Sequence, residues 1–107
     1  MARKPETVFR ARIRPSLEEL PNTVLFGIQQ VAIRGTPDFL LCIGGVFVAL
    51  ELKRDAKANV TALQKYNIDR IKKAGGIAFV TWPENWHNVY SILKQLAEKK
   101  HVQIEIR

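Results

Sequence analysis

Two acidic residues and a lysine interrupt an otherwise apolar segment, and they are the residues of this chain best suited to chemistry. Asp38, Glu51 and Lys53 stand within GTPDFLLCIGGVFVALELK, residues 35–53. Ionised groups beside an apolar core must be paired, neutralised or bound to a cation. Two neighbouring carboxylates suit a hard divalent ion such as Mg²⁺, which completes its shell with water and substrate phosphate. A lysine beside such an ion can orient or deprotonate an attacking water.

A hairpin turn at Gly44 and Gly45 would bring these charges together. Counting back along both strands from such a turn places Asp38 directly opposite Glu51. Opposed residues have Cβ atoms ~4.5 to 5.5 Å apart, and Lys53 projects from the same face as Glu51. The intervening residues are apolar on both sides, so we expect both faces of the hairpin to be covered. A slip of one residue would move Asp38 to the other face, and a purely structural trio, with Lys53 pairing one carboxylate, is the alternative.

An alternating order of helices and strands would carry this hairpin. We predict a single small α/β domain over residues 1–107, with a central mixed β-sheet flanked by helices. The predicted elements, in chain order, are a helix over 5–20 with a break or kink at Pro15, a strand over 23–33, the hairpin strands DFLLCI and VFVALELK, the helix TALQKYNIDRIKKA closed by Gly75 and Gly76, the buried strand IAFVTW, the amphipathic helix NWHNVYSILKQLAEKK and the edge strand HVQIEI.

The charge balance favours an anionic partner. The 107 residues include 17 Lys and Arg against 10 Asp and Glu, a formal net charge of +7, which suits nucleic acid or a membrane surface, although a solvated basic face is also common. The longest apolar run is too short to span a bilayer, and MARKPETVFR lacks the apolar segment of a signal peptide. We therefore expect a soluble, intracellular protein, neither secreted nor bound to membrane. Cys42 is expected to be a small buried side chain, since it has no partner for a disulfide or a zinc site.

The motifs around the trio resemble those of the PD-(D/E)XK nuclease superfamily, and within it the VRR-NUC group of small virus-type nucleases, relatives of Holliday-junction resolvases. They are GTPD before the first hairpin strand, ELK at the end of the second, and TALQ opening a basic helix that ends in AGG before an apolar strand. The resemblance covers residues 35–82 well and the N-terminal helix loosely. It implies a restriction-endonuclease-like core.

The resemblance also implies roles for the charged residues. Asp38 and Glu51 would be the acidic metal ligands, with the main-chain carbonyl of Leu52 as a further donor, and Lys53 would be the catalytic lysine. Mg²⁺ is the implied cofactor, with Mn²⁺ as a substitute. If the protein is viral, the expected location is the cytoplasm of the host cell.

Two further positions have both a functional and a structural interpretation. Gln64 matches a catalytic glutamine that resolvase-like nucleases place beside the active site, yet Thr61 and Gln64 also form a capping box. The superfamily often adds a glutamate from its first helix as a metal ligand. Glu6 fits best, with Glu18 and Glu19 as competitors, although a glutamate in a first turn is favoured by the helix dipole in any case.

Together these features predict a Mg²⁺-dependent endodeoxyribonuclease, selective for branched DNA such as Holliday junctions. Paired cuts in a symmetric junction would require a homodimer, with HVQIEI or the first helix at the contact. One alternative is a non-catalytic nucleic-acid-binding accessory protein whose acids are structural, and another is a scaffold that binds a partner through its edge strand. The residues predicted to contact DNA are Arg10, Arg14, Arg34, Arg54, Lys57 and Lys65.

Overall fold

The helices and strands follow the predicted order along the described part of the chain. A computed structural model of the protein describes residues 4–28 and 35–99. The edge strand HVQIEI, the end of the strand predicted over 23–33, and Arg34 lie outside these residues. The elements are α1 (Pro5–Glu18), β1 (Thr23–Gly27), β2 (Phe39–Ile43), β3 (Val46–Leu52), α2 (Ala62–Lys73), β4 (Ile77–Thr81) and α3 (Trp86–Ala97).

The four strands form one mixed sheet in the order β1-β2-β3-β4. β1 pairs with β2 and β2 with β3 in antiparallel fashion, whereas β3 and β4 are parallel. Parallel neighbours need a crossover connection, and α2 supplies it between β3 and β4. The predicted α/β class with a central mixed sheet is therefore confirmed.

The hairpin turn has the predicted geometry. Gly44 and Gly45 have φ angles of 52° and 82°, the left-handed conformation that a tight two-residue turn requires at both central positions. Ile43 pairs with Val46, and the register continues to Phe39 opposite Leu50, as predicted. Gly44 is also confined by packing, because a Cβ there would collide with the main-chain carbonyl of Leu96, just before the end of α3.

α1 and α3 cover one face of the sheet. The apolar stripe predicted for the last helix is confirmed, since Val89, Leu93 and Ala97 are buried, and the Trp86 ring meets Phe9 of α1 edge-on at 6.2 Å between centroids. None of the helices in the described ranges has the length and apolar character needed to cross a bilayer. The buried core consists of Phe9, Ile13, Leu17, Leu20, Phe39, Leu41, Ile43, Val48, Leu50, Leu52, Val89, Leu93 and Ala97.

The opposite face of the hairpin is covered only in part, which corrects the expectation that both faces would be. Glu51 and Lys53 are buried, whereas Cys42 and Phe47, nearer the turn, are exposed. α2 packs chiefly against β4, so the turn end of the hairpin stays in contact with solvent. The expectation of a buried Cys42 was therefore wrong, because an apolar sequence around a thiol does not show which helix covers it.

α1 runs through Pro15 to Glu18, so of the predicted break or kink at Pro15 the break is absent. A proline within a helix removes one N–H donor and tends to kink or end the helix. Here Ile13 and Leu17 are both buried on either side of the proline. Their packing against the sheet keeps the chain helical where local propensity alone would have ended it.

Candidate active site

The hairpin register brings Asp38 and Glu51 side by side. Asp38 directly precedes β2, and the pairing of Phe39 with Leu50 continues by one step to place it opposite Glu51. The Leu52 N–H donates to Asp38 Oδ2 at 2.8 Å, which ties the carboxylate to β3. The two acids therefore meet on one face of the sheet, at the end of the hairpin farthest from its turn.

Glu51 is an acid in an unfavourable place for a negative charge. Its residue surface is only 4% exposed. Burial, the adjacent Asp38 charge and a hydrogen bond with Asp38 raise the pKa of Glu51 from 4.5 to about 8, against an opposing effect of Lys53. In the absence of a cation, the two carboxylates therefore hold a proton between them at neutral pH.

Gln64 connects the acid, the lysine and the start of α2. Lys53 Nζ donates to Gln64 Oε1 at 2.9 Å, and Gln64 Nε2 donates to Glu51 Oε2 at 3.1 Å. The same Oε1 accepts the Thr61 N–H at 3.0 Å, while the Gln64 N–H donates to Thr61 Oγ1 at 3.1 Å. The capping box is confirmed, and the glutamine also lies in the site. The Gln64 side chain therefore makes the capping contacts at the start of α2 and the contacts with Lys53 and Glu51 at the same time.

Lys53 is held close to the acids. Its side chain is 9% exposed, and its Nζ lies 3.9 Å from Glu51 Oε2. The Lys53 N–H donates to the Thr81 carbonyl of β4, which fixes the backbone at this position. The lysine is thus a buried, positioned cation.

The Arg10 side chain makes contacts that the sequence did not predict. Its Nη1 is 3.0 Å from Asp38 Oδ1, and its Nη2 donates to the Ile28 carbonyl at 3.4 Å. The guanidinium also lies over the Phe39 ring, 4.4 Å from the centroid. The sequence predicted Arg10, like Arg14, as a DNA contact. It could not show the ion pair with Asp38, because that contact depends on how α1 crosses the sheet.

The candidate glutamates of α1 lie at its two ends. Glu6 is exposed in the first turn, and its charge contributes slightly to the raised pKa of Glu51. Glu18 pairs instead with Arg14 at 3.7 Å, and Glu19 caps the other end of the helix. Across residues 4–28 and 35–99, no three or more His, Cys, Asp or Glu side chains are grouped to hold a metal. A metal-binding role for Glu6 stays a prediction.

Three of the residues predicted to bind DNA are exposed to solvent, and all three follow Lys53 or Gln64 closely in the sequence. Arg54 follows Lys53, pairs with Asp55 at 3.0 Å, and lines a cleft of about 420 Å³ together with Glu6. Lys57 and Lys65 are exposed, in the loop after β3 and on α2. Their contacts with DNA stay predictions.

The donor chemistry of the site fits a hard divalent cation. Asp38 and Glu51 are adjacent oxygen donors, and metal binding would release the proton held by the pair because carboxylates bind a metal in their deprotonated form. Two carboxylates suffice for Mg²⁺ when water and phosphate complete the shell. The carbonyl of Leu52 is the further predicted donor. Because Arg10 occupies Asp38 Oδ1, a cation that bridges both acids has to compete with that arginine.

Comparison with known proteins shows the fold. No family model and no curated protein matches this chain. A solved structure described as a VRR_NUC domain protein has a TM-score of 0.70 and 17% identity, covering 94% of this chain and 93% of its own. Another, described as a VRR_NUC domain, has a TM-score of 0.65 and 20% identity, covering 92% and 100% respectively. The chain therefore has the VRR_NUC domain fold, which is the fold that the sequence resemblance implied.

Proposed function

We propose that this protein is a metal-dependent endonuclease that hydrolyses phosphodiester bonds in DNA. The main support is the set of Asp38, Glu51, Lys53 and Gln64 at one end of the hairpin, in which Glu51 and Lys53 are buried and Asp38 and Gln64 are partly exposed. A buried acid and a buried lysine beside a second acid are costly for folding unless they are paired, neutralised or bound to a ligand. A cation bound to the acids and a phosphate near the lysine would compensate these charges.

In this proposal each residue has a distinct task. Asp38 and Glu51 would hold Mg²⁺, or Mn²⁺ in its place, with the Leu52 carbonyl as a further donor. When bound, the ion would polarise the phosphoryl oxygens and lower the pKa of a bound water. An ammonium has three N–H donors, so the bond of Lys53 to Gln64 leaves two to orient the attacking water and the phosphate. Gln64 keeps Lys53 and Glu51 in place.

Cleavage assays on purified protein test this proposal. Fluorescently labelled duplex and four-way-junction DNA would be incubated with Mg²⁺ or with EDTA. We expect scission only with Mg²⁺, and a loss on the order of 100-fold or more in Asp38→Asn, Glu51→Gln and Lys53→Met. Lys94→Met, on the exposed side of α3, is the matched control and should cleave like the wild type. DNA retention without scission would instead support the non-catalytic accessory protein.

We further propose that the substrate is branched DNA and that the active form is a homodimer. Support comes from the formal charge of +7 and from the one candidate site found within residues 4–28 and 35–99. Paired cuts across a symmetric junction need two such sites related by a two-fold axis. Light scattering should show twice the chain mass, and junctions should be cut faster than duplex. A monomer that cuts both equally would contradict this part of the proposal alone.

A further inference from the structure

Two arginines converge over one glycine beside the candidate metal ligands. A Cβ on Gly27 would lie 2.9 Å from Arg14 Nη1 and 3.1 Å from Arg10 Nη2. Both guanidiniums therefore pass directly over the backbone at the end of β1, where a larger residue would displace them. Gly27 pairs with Phe39, the residue after Asp38. Arg10 thus reaches the carboxylate pair through Asp38, and Arg14 lies beside Arg10.

The partners of these arginines are unequal. Arg10 has a side chain that is 18% exposed and pairs closely with Asp38, at 3.0 Å. Arg14 is 43% exposed and has a longer pair with Glu18, at 3.7 Å. Neighbouring like charges at partly buried positions favour an anion between them. In the metal-free protein, Asp38 supplies that anion for Arg10.

A divalent cation changes this balance. A cation held by Asp38 and Glu51 would compete with Arg10 for the Asp38 carboxylate and would place two further positive charges beside that arginine. The arginine then has to leave Asp38 or pair with something more negative. A DNA phosphate bound at the cation would lie beside the Arg10 guanidinium, which has Arg14 as its neighbour, and arginine forks bind phosphate in a bidentate manner.

We propose that Arg10 exchanges partners, from Asp38 in the metal-free protein to a DNA phosphate once a cation is bound, with Arg14 as the second phosphate donor. This inference rests on the proposed nuclease function. Its consequence is reciprocal coupling. Metal frees Arg10 for the phosphate, and DNA removes from Asp38 the charge that competes with the metal.

Calorimetric titration of the protein with Mg²⁺, without DNA, tests the first half of the exchange. Arg10→Gln should bind Mg²⁺ at least about fivefold more tightly than the wild type, because a competing charge has been removed. Arg10→Lys keeps the charge and should stay nearer the wild type. Arg12→Gln is the matched control, since Arg12 is on the same helix but lies over the Phe9 ring, 5.4 Å from its centroid. Unchanged or weaker Mg²⁺ binding in a folded Arg10→Gln protein would overturn the exchange.

Junction-DNA binding tests the second half. Fluorescence anisotropy would be measured in EDTA and in Mg²⁺, with Lys53→Met present in every variant to prevent scission. Mg²⁺ should strengthen binding at least about fivefold more with Arg10 present than in Arg10→Gln. Equal strengthening in both proteins would overturn the exchange. If the wild type binds Mg²⁺ and cleaves DNA, while Arg10→Gln changes neither the affinity for Mg²⁺ nor the affinity for DNA, only the proposed exchange of partners fails. If the wild type binds no Mg²⁺, the proposed function fails with it.

Discussion

At the scale of single residues, Gln64 joins local folding to the chemistry of the site. Its amide oxygen accepts from Thr61 and Lys53, and its amide nitrogen donates to Glu51. One side chain therefore satisfies the start of a helix and two buried charges. Among the described residues, no buried side-chain nitrogen or oxygen atom lacks a hydrogen-bond partner. The sequence predicted both positions of Gln64 because the capping box and the family motif fall on the same four letters.

Substitutions at Gln64 can separate these two roles. Gln64→Ala removes both, and should lower the free energy of unfolding by about 1 kcal/mol. Gln64→Glu keeps the acceptor that completes a capping box, but it places a third carboxylate against Glu51. We expect it to be more stable than Gln64→Ala in urea unfolding, yet to cleave at least about tenfold more slowly than the wild type. A Gln64→Glu protein with full activity would show that the amide donor is dispensable.

The raised pKa of Glu51 predicts a pH dependence of stability. Between 4.5 and about 8, the folded protein keeps a proton on Glu51 that the unfolded chain releases. The free energy of unfolding should therefore fall as pH rises through this window, by up to about 1.4 kcal/mol per pH unit, and level off above it. Urea unfolding in EDTA at a series of pH values would measure the slope.

Glu51→Gln is the control for this dependence. The amide has nearly the same shape but cannot ionise, so the variant should lose that part of the slope and be the more stable protein at high pH. Equal slopes in the two proteins would mean that Glu51 ionises normally.

At the scale of elements, the hairpin is the part of the site that the sequence predicted best. Its paired glycines fix the turn, and the two-residue period of strands then determines which side chains share a face. What the sequence could not show depends on helix packing across the sheet. The ion pair of Arg10 requires the crossing of α1, and the exposure of Cys42 results from the limited cover given by α2. Neither is encoded in local spacing.

The turn glycines should differ in their tolerance of substitution. Gly44→Ala forces an L-residue into a left-handed conformation and against the Leu96 carbonyl, so we expect a loss of about 2 kcal/mol or more in unfolding free energy. Gly45 is exposed, and asparagine tolerates the left-handed conformation. The loss of unfolding free energy in Gly45→Asn should therefore be below about 1 kcal/mol. Urea denaturation compares them directly. Equal losses would argue that packing against Leu96 does not constrain the turn.

At the scale of the whole molecule, the proposed function requires that excess positive charge bring a polyanion to a site that contains two acids. In this proposal the formal charge of +7 would favour association over a distance, while contacts near the site would position the DNA backbone. The global charge was readable from composition alone. Its distribution around the site was not, because the distance of a lysine from the acids depends on the fold.

Salt dependence tests which basic residues contact DNA. Wild-type affinity for DNA should fall steeply with salt, and Lys65→Gln should reduce the slope of log affinity against log salt by about 1 if it removes one phosphate contact. Lys94→Gln removes the same charge from α3, on the opposite face of the sheet, and should leave the slope unchanged. Anisotropy titrations at several salt concentrations would measure both. Equal slopes for the two variants would contradict a phosphate contact at Lys65.

The proposed function depends on one divalent cation bound by Asp38 and Glu51 together. The most direct measurement is an anomalous difference map from crystals soaked in Mn²⁺. We predict one strong peak within coordination distance of carboxylate oxygens from both residues, with Lys53 still beside it. A fully soaked crystal without a peak between these two acids, or with manganese bound only elsewhere, would contradict the account.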